Sequence, residues 1–289
     1  MQNIYIDSTK RYAALFLSCL FGLLGLFGLT IEYARAETDV TTVVLYDGAL
    51  GGLPESQQLS YLGIGATVFD PSQVIYSASN GVTTHDSTPA IVDKAGYFDL
   101  GGYASELSRT VGFRLTFDVQ LVSENHINNN RAGFNVILLG DDKQGVELAF
   151  WENEIWVQTD NPLFRHGEGN RAVNPTAALT RYTLDVRGDS YTLTSGSNVI
   201  LTGSVRDYTA ATGSFAFVYN TPNMIFLGDN TTSADSKFKL AYVSVSQGIP
   251  EAAPNAVELT QVDANAVAMY GLLASFAMLL SATVLLWRY

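Results

Sequence analysis

Residues 113–121 read FRLTFDVQL. Side chains alternate across an extended chain, so Phe113, Leu115, Phe117, Val119 and Leu121 share one side while Arg114, Thr116, Asp118 and Gln120 share the other. This predicts a half-buried strand with a core face and a polar face. Outward from it, similar short runs recur: TTVVLY (41–46), AGFNVILLG (132–140), GVELAFW (145–151), EIWVQT (154–159), RYTLDVRG (181–188), SYTLTS (190–195), FAFVYN (215–220), MIFLGD (224–229) and KLAYVSVS (239–246). Gly, Asn, Asp and Pro clusters separate them, and no long helical period interrupts. Many short strands at this spacing predict an all-β sandwich or barrel, here one domain over residues 37–247.

The chain has 289 residues, enough for a sizeable core. Its formal net charge is −12, with 15% charged residues and no basic stripe. A nucleic-acid surface needs clustered Lys and Arg to neutralise phosphates, so that partner class is excluded.

Both ends are apolar. Lys10 and Arg11 precede a long apolar run over residues 12–31, and Ala34-Arg35-Ala36 follows. A basic start, an apolar centre and a small-x-small site predict a secretory signal peptide over residues 1–36, cut before Glu37. The apolar run is also long enough for an uncleaved anchor. Cys19 is the only cysteine, so cleavage leaves a chain without disulfides or cysteine-based sites. At the other end, residues 266–287 carry no charge, and Arg288-Tyr289 closes the chain. About 20 apolar residues span a bilayer, which predicts a transmembrane helix over residues 266–289 with Arg288 on the cytoplasmic side. A docked C-terminal helix is the alternative. Residues 248–265, with Pro, Ala and acidic residues but no Lys or Arg, predict a linker. The expected arrangement is an exported domain tethered to a membrane.

VLYDGALGGLPESQQLSYL (44–62), NNNRAGFNVILLGDDKQGVELAFWENEIWVQ (128–158), RYTLDVRGDSYTL (181–193), ILTGSVRDYTA (200–210) and IFLGDNTTSADSKFKLAYVSV (225–245) together resemble the choice-of-anchor surface domains, of the kind labelled Y. That resemblance implies a concanavalin A-like jelly roll, displayed at the cell surface on a C-terminal anchor. It brings no catalytic or ligand residues.

Site chemistry is therefore read from the hairpin around GVELAFWENEIWVQTD (145–160). With the turn at Glu152-Asn153, Trp151 faces Glu154, Ala149 faces Trp156, and Glu147 faces Gln158. Phe150, Ile155, Leu148 and Val157 form the core face. On the other face, Arg131 and Asn135 from the preceding strand join Trp151, Trp156, Glu147 and Gln158. Flat apolar rings beside planar hydrogen-bonding groups are what a saccharide site uses. Trp156 is the expected platform, because Ala149 beside it is small. The other reading of this face is an outer surface with solvated charges, its two tryptophans covered by a loop.

A polysaccharide-degrading hydrolase or lyase on the same fold is the alternative to a non-enzymatic surface module that binds a carbohydrate or packs against the cell envelope. Laminarinase-like hydrolases of this fold set carboxylates at alternate positions along one strand, but Ala149 stands two places after Glu147. Glu147 and Glu154 share a face about 13 Å apart along the ladder, beyond the roughly 5–9.5 Å that glycosidases use. For metals, His85, His126 and His166 lack zinc spacing, and His166 lies with Glu168 in an apparent Gly-rich loop. The acidic turns at Asp141-Asp142 and Asp229-Asn230 are candidate calcium ligands, with plain turns as the alternative.

Overall fold

The computed structural model describes residues 40–64, 74–77, 80–89, 94–102 and 106–249. The expected signal segment 1–36, nearly all of the linker and the expected anchor 266–289 lie outside them. Among the described residues, no helix is long and apolar enough to cross a membrane.

The strand at 113–121 exists and runs further, to His126. This strand, β6 (Phe113–His126), pairs antiparallel along its length with β16 (Ala234–Gln247). Phe113, Leu115, Phe117, Val119 and Leu121 are all buried, as the alternation requires. In β16 the inward residues are Phe238 and Leu240, then Val243 and Val245, a change of parity. A bulge between Leu240 and Tyr242 inserts the extra residue that makes the change.

These two long strands centre an eight-stranded antiparallel sheet. Its order is β13 (Asn198–Ser204), β12 (Ser190–Ser195), β11 (Thr180–Arg187), β6, β16, β4 (Val82–Asp86) and β3 (Val74–Ser77). β1 (Thr41–Asp47) pairs with the far end of β16, from Thr41 opposite Gln247 to Asp47 opposite Tyr242. The second eight-stranded sheet runs β10 (Leu163–Asn170), β9 (Glu154–Asp160), β8 (Gln144–Trp151), β7 (Phe134–Leu139), β15 (Met224–Asp229), β5 (Lys94–Leu100) and β2 (Ser60–Ile64). β14 (Arg206–Asp207) continues beside β8. The chain is thus an all-β sandwich, consistent with the expected jelly roll.

The core fills the space between the sheets. Phe117 of the first sheet meets Phe150 of the second, ring centroids 6.3 Å apart, and Phe134 meets Phe238 at 4.4 Å. Polar outer groups of the first sheet pair across strands, as Arg114 with Asp185 and Arg181 with Asp118.

The second sheet is different, because its outer face is also covered. Every residue of β7 and β15 is buried. Ile137, Leu139, Met224 and Phe226 point away from the main core and pack against Tyr208, Ala211, Phe215, Val218 and Tyr219. Here the reading of FAFVYN (215–220) as a strand is corrected. Phe217–Asn220 form one helical turn, α1, preceded by a turn. The spacing of Phe215, Val218 and Tyr219 suits a helical face, and packing on the sheet fixes it.

Candidate functional site

The hairpin register is the one its sequence predicts. Trp151 pairs with Glu154, Ala149 with Trp156 and Leu148 with Val157, while Val146, Leu148, Phe150, Ile155 and Val157 enter the main core. The opposite face carries the expected residues but is neither an open platform nor a solvated surface. Asn135, Glu147, Ala149, Trp156 and Gln158 are all buried there.

Residues 130–132 roof this face and are pinned from several sides. Trp151 Nε1 donates to the Arg131 carbonyl at 2.8 Å, Gln158 Nε2 to the Asn130 carbonyl at 3.1 Å, and Asn135 Nδ2 to the Ala132 carbonyl at 2.7 Å. The His166 backbone N–H donates to Asn130 Oδ1 at 3.1 Å.

His166 closes Trp156. The stretch holding it is a strand, not a loop: β10 pairs with β9 through two irregularities. Glycine permits this close approach, since a Cβ on Gly169 would lie 2.2 Å from Glu154 Oε1 and 3.0 Å from Trp156 Cβ. The imidazole of His166 stacks on the Trp156 indole at 4.2 Å, and Trp156 is 0% exposed. The expectation of an open Trp156 ring is therefore corrected: Ala149 leaves room, and the roof and His166 take it. Trp151 is partly exposed and lies edge-on to Trp156 at 5.3 Å, with His126 stacked on it at 4.3 Å. Each imidazole has an acid partner, His126 with Glu124 at 2.9 Å and His166 with Glu154 at 3.1 Å. Glu168 pairs with Arg206 and Tyr191 instead of His166.

Beside this closed cluster the same outer face opens into a cavity of about 290 Å³. Arg131, Lys94, Phe164, Tyr219, Asn230 and the turns at 211–216 and 231–233 line it. Glu147 is linked to two of these residues. It accepts from Asn230 Nδ2 at 2.8 Å and from the Tyr219 hydroxyl at 2.9 Å, and Asn135 Nδ2 donates to Asn230 Oδ1 at 3.1 Å. Burial raises the Glu147 carboxyl above the usual range, against the Asn230 bond, the Arg131 charge and the Tyr219 bond.

The cations of the cavity are held over rings. The Arg131 guanidinium lies 4.5 Å from the Phe164 centroid and Lys94 Nζ 5.4 Å from that of Phe215. Phe164 takes a left-handed backbone conformation, φ 57°, uncommon for a bulky residue. Arg109, Arg114, Arg171, Arg181 and Arg206 each reach a carboxylate. Among the described residues, Lys94 and Arg131 have no carboxylate within ion-pair distance. Burial pushes the Lys94 ammonium below its ordinary value, opposed by Asp229 and reinforced by Arg131.

No protein-family profile and no curated protein matches the sequence. Solved structures resemble it in fold. The carbohydrate esterase of the Shiga toxin-encoding bacteriophage phi24B is 12% identical, with a TM-score of 0.48 over 73% of this chain and 100% of that one. The laminarinase from Rhodothermus marinus is 9% identical, TM-score 0.47, over 73% and 99%. An endo-β-1,3(4)-glucanase of family GH16 is 13% identical, TM-score 0.46, over 73% and 92%.

The calcium candidates lie at opposite ends of β7. Asp142, in the β7–β8 turn, is bound by Arg109 at 2.6 Å, and Asp141 beside it is exposed. Asp229 is buried, accepts from the Thr231 N–H and the Ser87 hydroxyl, and is driven well above the usual carboxyl range by burial. Among the described residues no three His, Cys, Asp or Glu side chains converge as a metal group. Arg131, Asn135 and Glu147 lie on this face as their sequence predicts, Asn230 enters it instead of acting as a calcium ligand, and the sequence marks neither Lys94, Phe164 nor Tyr219 for it. Those last residues come from separate segments, and no local pattern marks them.

Proposed function

We propose that this chain is an exported surface module of the choice-of-anchor kind, held to a membrane by residues 266–289, that binds a saccharide in the outer-face cavity. The cavity carries the proposal: two cations, Lys94 and Arg131, line it together with the polar residues Thr212, Ser214 and Thr232. Convergent polar groups in a concave site of this size suit one sugar unit of a longer chain. A glycan array probed with the full chain in detergent tests the reading. Binding of one glycan class, abolished by Ser214→Trp within the cavity, is the expected result. An array with no retained glycan removes the proposal.

Cleavage of a polysaccharide at the same place is the second reading. One observation favours it: Tyr219, which lines the cavity, donates its hydroxyl to the buried acid Glu147. Release of reducing ends or unsaturated products from a polysaccharide by the purified chain would establish the enzyme.

A further inference from the structure

The aromatic rings around the cavity are already occupied. Arg131 covers Phe164, and Lys94 lies over Phe215. A sugar entering here therefore meets few free rings to stack on. What it meets is charge. Arg131 and Lys94 line one cavity, neither has an ion-pair partner among the described residues, and each is steadied by the ring beneath it.

We propose that the cavity selects an acidic sugar, a uronate whose carboxylate binds Arg131 and Lys94 together. The inference rests on the saccharide-binding reading above and names the ligand class. The planar guanidinium matches a carboxylate through two parallel hydrogen bonds, and the ammonium adds a compact charge that can approach from another side. Two like charges facing one space repel each other, and an anion between them relieves that repulsion. The chain carries a net charge of −12, yet among the described residues the lining of the cavity holds Arg131 and Lys94 and no acid. Glu147 and Asp229 lie behind that lining, and burial raises both carboxyls above the usual range. The cavity is thus a positive spot in an acidic protein. Thr212, Ser214 and Thr232 also line the cavity and would meet the hydroxyls of the ring.

Calorimetric titration of the full chain in detergent decides it. The probes are trimers of galacturonate, mannuronate and glucuronate, the same trimers with carboxyl groups reduced to alcohols, and sulfated neutral trimers. At least one uronate trimer is expected to bind, with its reduced counterpart weaker by about thirtyfold or more, the usual scale for losing one side of a desolvated charge pair. Arg131→Met and Lys94→Met, which keep the apolar stems, should each weaken the uronate by about tenfold or more, a clearly larger loss than either causes for the reduced trimer. Equal binding of the reduced and uronate trimers overturns the inference and leaves the saccharide reading standing. Binding of the sulfated trimers alone overturns the carboxylate assignment. Silence from every probe and from the glycan array removes both. The ligand comparison uses the unaltered protein, so it decides the matter even if a variant fails to fold.

Discussion

His166 lies flat on Trp156, their ring planes 10° from parallel. The contact joins β10 to the hairpin face and shields an indole that small neighbours would otherwise leave open. His166→Ala should expose that indole while keeping the sandwich. Quenching of tryptophan fluorescence by acrylamide should rise, with a loss of stability of roughly 1–2 kcal/mol for a stacked pair and its buried area. Unchanged quenching would show that the roof at 130–132 alone closes the ring.

Phe117 and Phe150 meet edge to face between the two sheets. Either Phe→Ala substitution should cost about 3–5 kcal/mol by transfer and cavity terms. Chemical denaturation reads this directly. A midpoint like that of the parent protein would refute the assignment of these rings to the shared core.

Glu147 sits buried with donors on both oxygens. Since burial favours its neutral form, Glu147→Gln should change stability by less than about 1 kcal/mol. Glu147→Ala leaves Tyr219 and Asn230 short of an acceptor and should cost about 3 kcal/mol or more, at roughly 1–3 kcal/mol per orphaned group. If the glutamine variant is as unstable as the alanine one, the negative charge of Glu147 matters in the fold.

Burial raises the Glu124 carboxyl from an ordinary 4.5 to about 7, against the His126 and Gly133 hydrogen bonds. The folded state therefore binds a proton more tightly than the unfolded one. Stability from this group is fully present below about pH 4.5 and is lost as pH rises through about 7. Glu124→Gln should flatten that part of the profile, by on the order of 2–3 kcal/mol between the two limits. Denaturation of both proteins at pH 4.5 and pH 8 checks the sign. A steeper loss in the variant would contradict it.

The β grammar was legible because each strand declares its own faces. FRLTFDVQL fixes which residues of β6 point inward, and the polar pair Glu152-Asn153 fixes the register from Leu148 to Val157. The covering of the second sheet was not legible. FAFVYN has the apolar density of a strand, and only its docking on Ile137 and Phe226 makes it a turn and α1. The closing of Trp156 was hidden for a related reason. RHGEG looks like a turn by its glycines, whereas those glycines let β10 run close against β9. The cavity draws Lys94, Arg131, Phe164 and Asn230 from distant segments, and periodicity within one element cannot report such meetings.

The pairing of Thr41 with Gln247 has a mechanical consequence. The first and last strands of the sandwich start and finish side by side, antiparallel, so a pull between these two residues loads their hydrogen bonds one pair at a time, like a zip. A ladder opened this way yields at lower force than one sheared along its length, because shearing strains all its bonds together. Tension applied through both ends should therefore peel β1 from β16 first. The remaining β16 ladder with β6 then holds the other strands together. Such a domain gives way at its seam before its core opens.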